Sequence, residues 1–323
     1  MKNLKGTFIL LLAAFIWGTA FVAQTSAGDN IGAFTFNACR NIIGALFLFI
    51  VIAVLDKKKY SDRDDNLCGN DDIINKKNYI INAKKWPVKE GVICGIVLCI
   101  AMNLQQIGIN TYPDGVAVSG RAGFLTATYV VMIALALVFM GQKLHKLTII
   151  AAFVCLAGMY LLCIAGGIDK IYVADILELM CAVAFTIHML TVDKYNKSDG
   201  VKLSCIQFLT SGILSGILML IFDKADINSI MKATIPILYA GVMSSGIAYT
   251  LQIIGQEYAK PSVTAIVLSL ESVFAALAGW VLLGEHLSAR ELAGCILVFT
   301  AVIIAQIPQF THNIDDGEQH VTE

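Results

Sequence analysis

Apolar residues run through most of this chain in stretches of about twenty, separated by short polar segments. Ten such stretches lie near residues 6–28, 31–55, 91–110, 116–140, 147–165, 171–192, 203–222, 235–256, 262–283 and 289–307. About 20 helical residues cross the ~30 Å hydrocarbon core of a bilayer. Because the apolar character is continuous rather than alternating, helices are favoured over membrane-spanning strands. The pattern predicts an all-α membrane protein with ten transmembrane helices.

Composition agrees with a membrane protein and excludes several other classes. Apolar residues make up 57% of the 323 residues and charged residues only 15%, against about 25% charged in a soluble domain. A soluble enzyme, a disordered chain and a secreted disulfide scaffold are therefore excluded. The net charge of −1 leaves no basic field that could hold nucleic acid. The nine cysteines show neither CxxC nor Cys/His metal spacing, so neither a metal nor another cofactor is expected.

The distribution of lysine and arginine predicts the orientation in the membrane. If both termini are cytoplasmic, seventeen of the 23 basic residues fall on the cytoplasmic side and four outside, while Arg40 and Arg121 lie within spans. The positive-inside rule therefore places both termini and the hydrophilic segment 56–89 in the cytoplasm, with the protein in the cell membrane. We expect residues 56–89 to form a mobile loop and residues 308–323 to form a disordered cytoplasmic tail.

An internal repeat divides the chain into two halves. The segment Leu104–Gly108 (LQQIG) recurs 147 residues later as Leu251–Gly255 (LQIIG), and Gly141–Leu144 (GQKL) recurs as Gly284–Leu287 (GEHL). This offset maps the third and fourth spans onto the eighth and ninth, so the unit is five spans. Because five is odd, successive units enter the membrane from opposite sides. The sequence predicts two inverted five-helix repeats, over residues 1–170 and 171–307, with a substrate site near the midplane between them.

Four segments carry a resemblance to a known family: Trp17–Gln24 (WGTAFVAQ), Phe34–Arg40 (FTFNACR), Ser244–Gln252 (SSGIAYTLQ) and Ser269–Leu277 (SLESVFAAL), the last followed by Leu-Gly-Glu. They resemble the drug/metabolite transporter superfamily, in its ten-span form with two EamA domains. The resemblance implies a secondary transporter and identifies no substrate. Many relatives have proline where this chain has Tyr129 and Ser272, so helix kinks at those two positions are left open.

Charged side chains within spans indicate where the site lies, since a charge at mid-span costs roughly 2.5–3.5 kcal/mol unless it faces a cavity or a partner. Arg40 and Glu271 are each about ten residues, or roughly 15 Å, from the nearest turn. Both are therefore expected at the central cavity, one from each half. There they either pair directly, or Arg40 holds an anionic group of the substrate and Glu271 a cationic one. Asp175 and Glu178 start the sixth span and are expected to be structural.

Uncharged residues complete the predicted site. Helical spacing puts Asn37 and Arg40 on one face of the second span, and Tyr249 and Gln252 on one face of the eighth. On the third span Asn103 and Gln106 share a face, and Gln105 faces elsewhere. Trp17 and Tyr129 are expected to stack on the substrate. Glu271 and His188 are the candidates for ion coupling. For each of these residues the alternative is hydrogen bonding or packing between helices. The predicted substrate-binding set is Trp17, Asn37, Arg40, Asn103, Gln106, Tyr129, Tyr249, Gln252 and Glu271.

Together these features predict a secondary transporter and not an enzyme, since nucleotide-binding and hydrolase motifs are absent. The expected partners are a small-molecule substrate and the lipid bilayer, with no nucleic acid. The expected substrate is a small organic metabolite, for example an amino acid or related amphipathic compound, and the expected mode is efflux or exchange through alternating access. A membrane-embedded lipid-modifying enzyme and a non-transporting assembly subunit are the alternatives.

Overall fold

The computed structural model describes residues 2–64, 86–113, 118–142, 144–163, 171–195, 198–224, 226–283 and 289–319, and every regular element in these ranges is a helix. The helices of the first half are α1 (Lys2–Gly28), α2 (Ala33–Asp64), α3 (Val88–Thr111), α4 (Val118–Ala127), α5 (Tyr129–Phe139) and α6 (Lys146–Cys163). Those of the second half are α7 (Val173–Lys194), α8 (Gly200–Phe222), α9 (Ile227–Lys232), α10 (Thr234–Tyr239), α11 (Tyr249–Gln256), α12 (Pro261–Leu268), α13 (Leu270–Leu283) and α14 (Ala289–Gln319). A π helix, Ala240–Ala248, joins α10 to α11.

The spans follow from these helices. The fourth span consists of α4 and α5, the eighth of α10, the π helix and α11, and the ninth of α12 and α13. Within the described ranges, eight helical segments are long and apolar enough to cross a membrane. Shorter apolar helices, Lys146–Leu161 and Leu292–Ala305, occupy the positions predicted for the fifth and tenth spans. The described residues thus form an all-α membrane protein in which eight segments are long enough to span, and the two shorter apolar helices pack on each other.

The predicted loop 56–89 and the predicted tail 308–323 both begin with helical residues. The helix α2 continues beyond its apolar part to Asp64, and α14 continues to Gln319. A helix that leaves the bilayer keeps its backbone groups paired by continuing, because each new turn adds i to i−4 hydrogen bonds. The remainder of the predicted loop, residues 65–85, and of the predicted tail, residues 320–323, lies outside the described residues.

The fourth and ninth spans are each interrupted by one hydroxyl residue. Thr128 separates α4 from α5 with φ −59° and ψ −14°, and Ser269 separates α12 from α13 with φ −62° and ψ −13°. Each hydroxyl donates to the carbonyl three residues earlier, Thr128 to Leu125 at 2.6 Å and Ser269 to Ile266 at 2.7 Å. Such back-bonding bends helices. Both spans are therefore interrupted close to Tyr129 and Ser272, although neither position holds a proline.

The packing of the spans agrees with a five-span repeat. The second span packs on the seventh and the fifth on the tenth. The first packs on the eighth and ninth, and the sixth packs in the same way on the third and fourth. Exchanging the two halves leaves this set of contacts unchanged. The outer surface of the bundle carries large exposed apolar side chains, among them Phe49, Phe139 and Phe153, as a lipid-facing surface requires.

Candidate functional site

A cavity lies between the two halves. Six of the predicted site residues line it: Trp17, Arg40, Tyr129, Tyr249, Gln252 and Glu271. The sequence analysis did not select seven other lining residues: Phe21, Gln24, Gln105, Thr126, Phe185, Met189 and Ser244. The cavity therefore draws on the first four spans and on the sixth, eighth and ninth.

Several lining residues are related in pairs by the repeat. Gln105 in the third span and Gln252 in the eighth are 147 residues apart, which is the offset of the LQQIG and LQIIG segments. In the first and sixth spans, Trp17 corresponds to Phe185 and Phe21 to Met189, both at an offset of 168. A constant offset within each pair of spans means that corresponding faces of the two halves meet at the cavity. The repeat could have revealed Gln105 from the sequence, because it is the counterpart of Gln252.

Arg40 is the cation of the cavity and has only neutral hydrogen-bond acceptors. Its guanidinium is 2% exposed, and Nη1 donates to Gln24 Oε1 at 3.2 Å. Nε donates over a longer 3.4 Å to Ser245 Oγ. Among the described residues, no carboxylate lies within ion-pair distance of Arg40. Its charge is thus oriented by amide and hydroxyl oxygens and left available to an anionic group.

Glu271 is the carboxylate of the cavity. It lies in the first turn of α13, directly after the break at Ser269, where the positive end of the helix dipole favours a negative charge. The Tyr129 hydroxyl lies 3.5 Å from Oε1, at the long limit of a hydrogen bond. No basic side chain in the described part of the chain forms an ion pair with Glu271. The break in the ninth span therefore places a carboxylate with few protein partners at the cavity wall.

Aromatic rings and unpartnered polar atoms form the rest of the wall. The Trp17 and Tyr249 rings meet edge to face, with centroids 4.6 Å apart and an interplanar angle of 63°. Trp17 Nε1 and Gln252 Oε1 are buried and have no hydrogen-bond partner in the part of the chain that the structure describes. A buried polar atom without a partner is unusual. These atoms give a bound solute one donor and one acceptor beside an aromatic surface.

Four predicted residues do not line the cavity. Asn37 Nδ2 donates to the Met102 carbonyl at 2.9 Å and to Asn103 Oδ1 at 3.1 Å, and Asn103 Nδ2 donates to Ser215 Oγ at 2.8 Å. Gln106 Nε2 donates to the Gln24 carbonyl of the first span at 3.2 Å and to Asn110 Oδ1 of its own span at 2.9 Å. His188 Nε2 lies 3.1 Å from Gln207 Oε1. These side chains connect neighbouring spans. On the third span Gln105 points into the cavity and Asn103 and Gln106 do not, which reverses the expectation from helical spacing.

The eighth span reaches the site through a π helix. Ala240–Ala248 adopts this wider helix, which brings Ser244 to the cavity and Ser245 to Arg40. Extra residues per turn shift side chains relative to α-helical spacing, and π segments are common at functional sites. Spacing rules for an α helix could therefore not have placed Ser244.

Comparison with known proteins shows similarity along nearly the whole chain. The model of the EamA-like transporter family matches this chain twice, over residues 4–164 and 173–306. A protein of Archaeoglobus fulgidus, described as an uncharacterized transporter, is 27% identical over 95% of this chain and 87% of its own length. The uncharacterized transporter YoaV of Bacillus subtilis is 19% identical, over 91% of this chain and 94% of its own. One crystal structure shares the fold, with a TM-score of 0.71 and 17% identity over 94% of this chain and 96% of the other.

The fold is an all-helical membrane bundle with a polar central cavity, and the relatives are described as transporters. Together these findings indicate a multi-pass membrane transporter. The two family matches together cover most of the chain. The protein belongs to the EamA-like transporter family, within the drug/metabolite transporter superfamily, and the resemblance carried by the four sequence segments is confirmed.

Proposed function

We propose that the protein is a secondary transporter that moves a small organic metabolite across the cell membrane, by efflux or exchange. The observation that carries this proposal is a cavity between the halves that holds one cation and one carboxylate, not paired with each other. Alternating access then arises from the two five-span halves exchanging conformations. Since the sequence has no nucleotide-binding motif, uphill movement draws on an ion gradient or on exchange.

The cavity suits a zwitterionic amphipathic solute such as an amino acid. Arg40 would hold the anionic group, Glu271 the cationic group, and the rings of Trp17 and Tyr249 the apolar part. The two charges attract opposite ends of one solute, which gives it a fixed orientation.

A transport assay tests this function directly. Purified full-length protein in liposomes is given a radiolabelled amino-acid mixture, and uptake is measured with and without an unlabelled mixture inside. We expect uptake above that of protein-free liposomes, and stimulation by internal solute if the protein exchanges. Turnover of the liposome lipid without solute flux would instead support an enzyme. Within the described residues, no cluster of three or more His, Cys, Asp or Glu could hold a metal for such an enzyme. An assembly subunit would show neither activity.

Topology gives the first prediction. Both termini and the end of α2 at Asp64 should face the cytoplasm, and Pro113, in the hairpin after α3, should face outward. Single cysteines at these two positions in a cysteine-free background report the side by reaction with an impermeant thiol reagent. In intact cells we expect Pro113→Cys to be labelled and Asp64→Cys to be labelled only after permeabilisation. Labelling of Asp64→Cys in intact cells would reverse the orientation.

The second prediction separates the two candidates for ion coupling. Glu271 lines the cavity, whereas His188 is fully buried and lies against Gln207 and the Tyr249 ring. We therefore expect coupling to depend on Glu271, and His188→Gln to keep gradient-driven uptake. Stability should fall by about 1 kcal/mol, since one buried hydrogen bond is replaced imperfectly. Uptake driven by an imposed pH gradient and thermal unfolding measure the two effects. Loss of gradient-driven uptake with exchange intact would assign coupling to His188.

A further inference from the structure

Glu178 is a second buried acid, and it does not line the cavity. It lies in the sixth span and is 0% exposed. Its Oε2 accepts a hydrogen bond of 2.8 Å from the Thr126 hydroxyl, while Oε1 is buried and has no hydrogen-bond partner among the described residues. An acid in this position at the start of a span was expected to be structural and to meet water. The structure places it inside the protein instead.

Packing does not require an acid at this position. A Cβ added at Gly108 in the third span would lie 2.5 Å from Glu178 Oε1, so the two spans touch here. In the other half, Gly255 has the same close approach to Leu10, where an added Cβ would lie 2.6 Å from Cδ2. Gly108 and Gly255 are counterparts at offset 147, and Leu10 and Glu178 at offset 168. Leu10 is also 0% exposed. In the first span the apolar side chain of Leu10 thus occupies the space that the carboxyl of Glu178 occupies in the sixth.

The charged and titratable neighbours of Glu178 do not neutralise a carboxylate there. Arg121 of the fourth span forms a two-fold ion pair with Asp175, both contacts at 2.6 Å, and Tyr112 of the third span donates to Asp175 at 2.8 Å. Asp175 and Cys181 lie on the same helix as Glu178, and neither side chain can carry a positive charge. An ionised Glu178 would therefore have one oxygen without a donor and no counter-ion of its own. A proton on the carboxyl removes that charge.

One side chain connects Glu178 to the cavity. Thr126 lines the cavity and donates to Glu178 Oε2, and Gln105 Nε2 lies 3.4 Å from the Thr126 hydroxyl. We propose that Glu178 is a proton-binding site linked to the transport cavity through Thr126. The proton comes from water, binds a carboxylate oxygen while spans three, four and six are packed together, and returns to water when they separate. This rests on the proposed transport function, for which Glu178 supplies a second proton-binding site beside Glu271.

Infrared spectroscopy tests the site without any solute. A protonated carboxyl gives a carbonyl band that carboxylates and amides lack and that shifts in deuterated water. We expect the full-length wild type to show such a band, Glu178→Gln and Glu178→Leu to lose the component that belongs to Glu178, and Glu271→Gln to keep that component. The wild-type band should decline reversibly between about pH 5 and about pH 10, the range in which shifted carboxyls titrate. A band unchanged in both Glu178 variants, or constant across this range, would overturn the proposal.

Two further measurements separate proton binding from a structural role. Because Leu10 occupies the equivalent space, Glu178→Leu should unfold at the wild-type temperature or above it, whereas a structural acid would lose stability. In liposomes with the radiolabelled amino-acid mixture, Glu178→Gln should keep exchange and lose the accumulation that an imposed pH gradient drives. Accumulation equal to that of the wild type would overturn the coupling role. A wild type that moves no amino acid would count against the proposed transport function, while the infrared band still decides the site.

Discussion

Arg40→Gln is expected to remove most of the flux at solute concentrations below saturation while leaving folded protein in the membrane. The guanidinium is bound by Gln24 Oε1 and Ser245 Oγ, both neutral. Its removal therefore leaves no unpaired carboxylate behind, which is the usual reason why losing one partner of a buried ion pair destabilises a protein. A glutamine amide still donates to these oxygens. Protein level and unfolding temperature should stay near those of the wild type.

The loss of function should come from the missing charge. A charge-assisted hydrogen bond to a carboxylate contributes about 1.5–3 kcal/mol, so affinity should fall by roughly ten- to a hundredfold. Arg40→Lys keeps the charge but loses the planar guanidinium. Its affinity for the solute should therefore lie between those of the wild type and Arg40→Gln. Uptake and exchange in liposomes measure flux, and the ligand-induced thermal shift of purified protein measures binding.

The matched control is Arg290→Gln, which removes one positive charge from an exposed site at the start of α14. It should transport at the wild-type rate. Normal flux in Arg40→Gln would remove the cavity charge from the mechanism and transfer substrate recognition to the aromatic and amide side chains.

The fold could be predicted from the sequence wherever the determining pattern is local. Runs of about twenty apolar residues specify spans, because the bilayer sets their length. The repeated LQQIG and LQIIG segments specify the five-span unit, and the structure pairs the spans as the repeat requires. The predicted fifth and tenth spans fall on α6 (Lys146–Cys163) and α14 (Ala289–Gln319), and α14 continues past its apolar part. Average hydropathy does not reveal where an apolar helix ends.

The site could be predicted only in part, because side-chain direction depends on how the helices pack. Charge in an apolar span was a sufficient signal for Arg40 and Glu271, since few other environments tolerate it. Amides give no such signal, because a buried amide is equally satisfied between two helices, as Asn103 is by Ser215. Ser244 reaches the cavity through a π helix that no spacing rule anticipates.

Glu271→Gln is expected to remove gradient-driven transport at little cost in stability. Glutamine has the shape of glutamate and still accepts the long hydrogen bond from Tyr129. It cannot attract a cationic group or take up a proton. Glu257→Gln, at an exposed position beyond the eighth span, is the matched control and should transport normally. Full activity of Glu271→Gln would leave Glu271 only a packing role in the ninth span.

The double variant Arg40→Gln/Glu271→Gln tests whether the two charges hold one solute. If they bind opposite ends of the same molecule, losing either end already prevents productive binding. The double variant should then be no worse than the more impaired single variant. If the charges act in separate steps, their free-energy costs should add to within about 0.5 kcal/mol. Binding by thermal shift and exchange in liposomes, compared across all four proteins, distinguish the two cases. Additive losses would mean that Glu271 serves coupling alone and that Arg40 binds the solute without it.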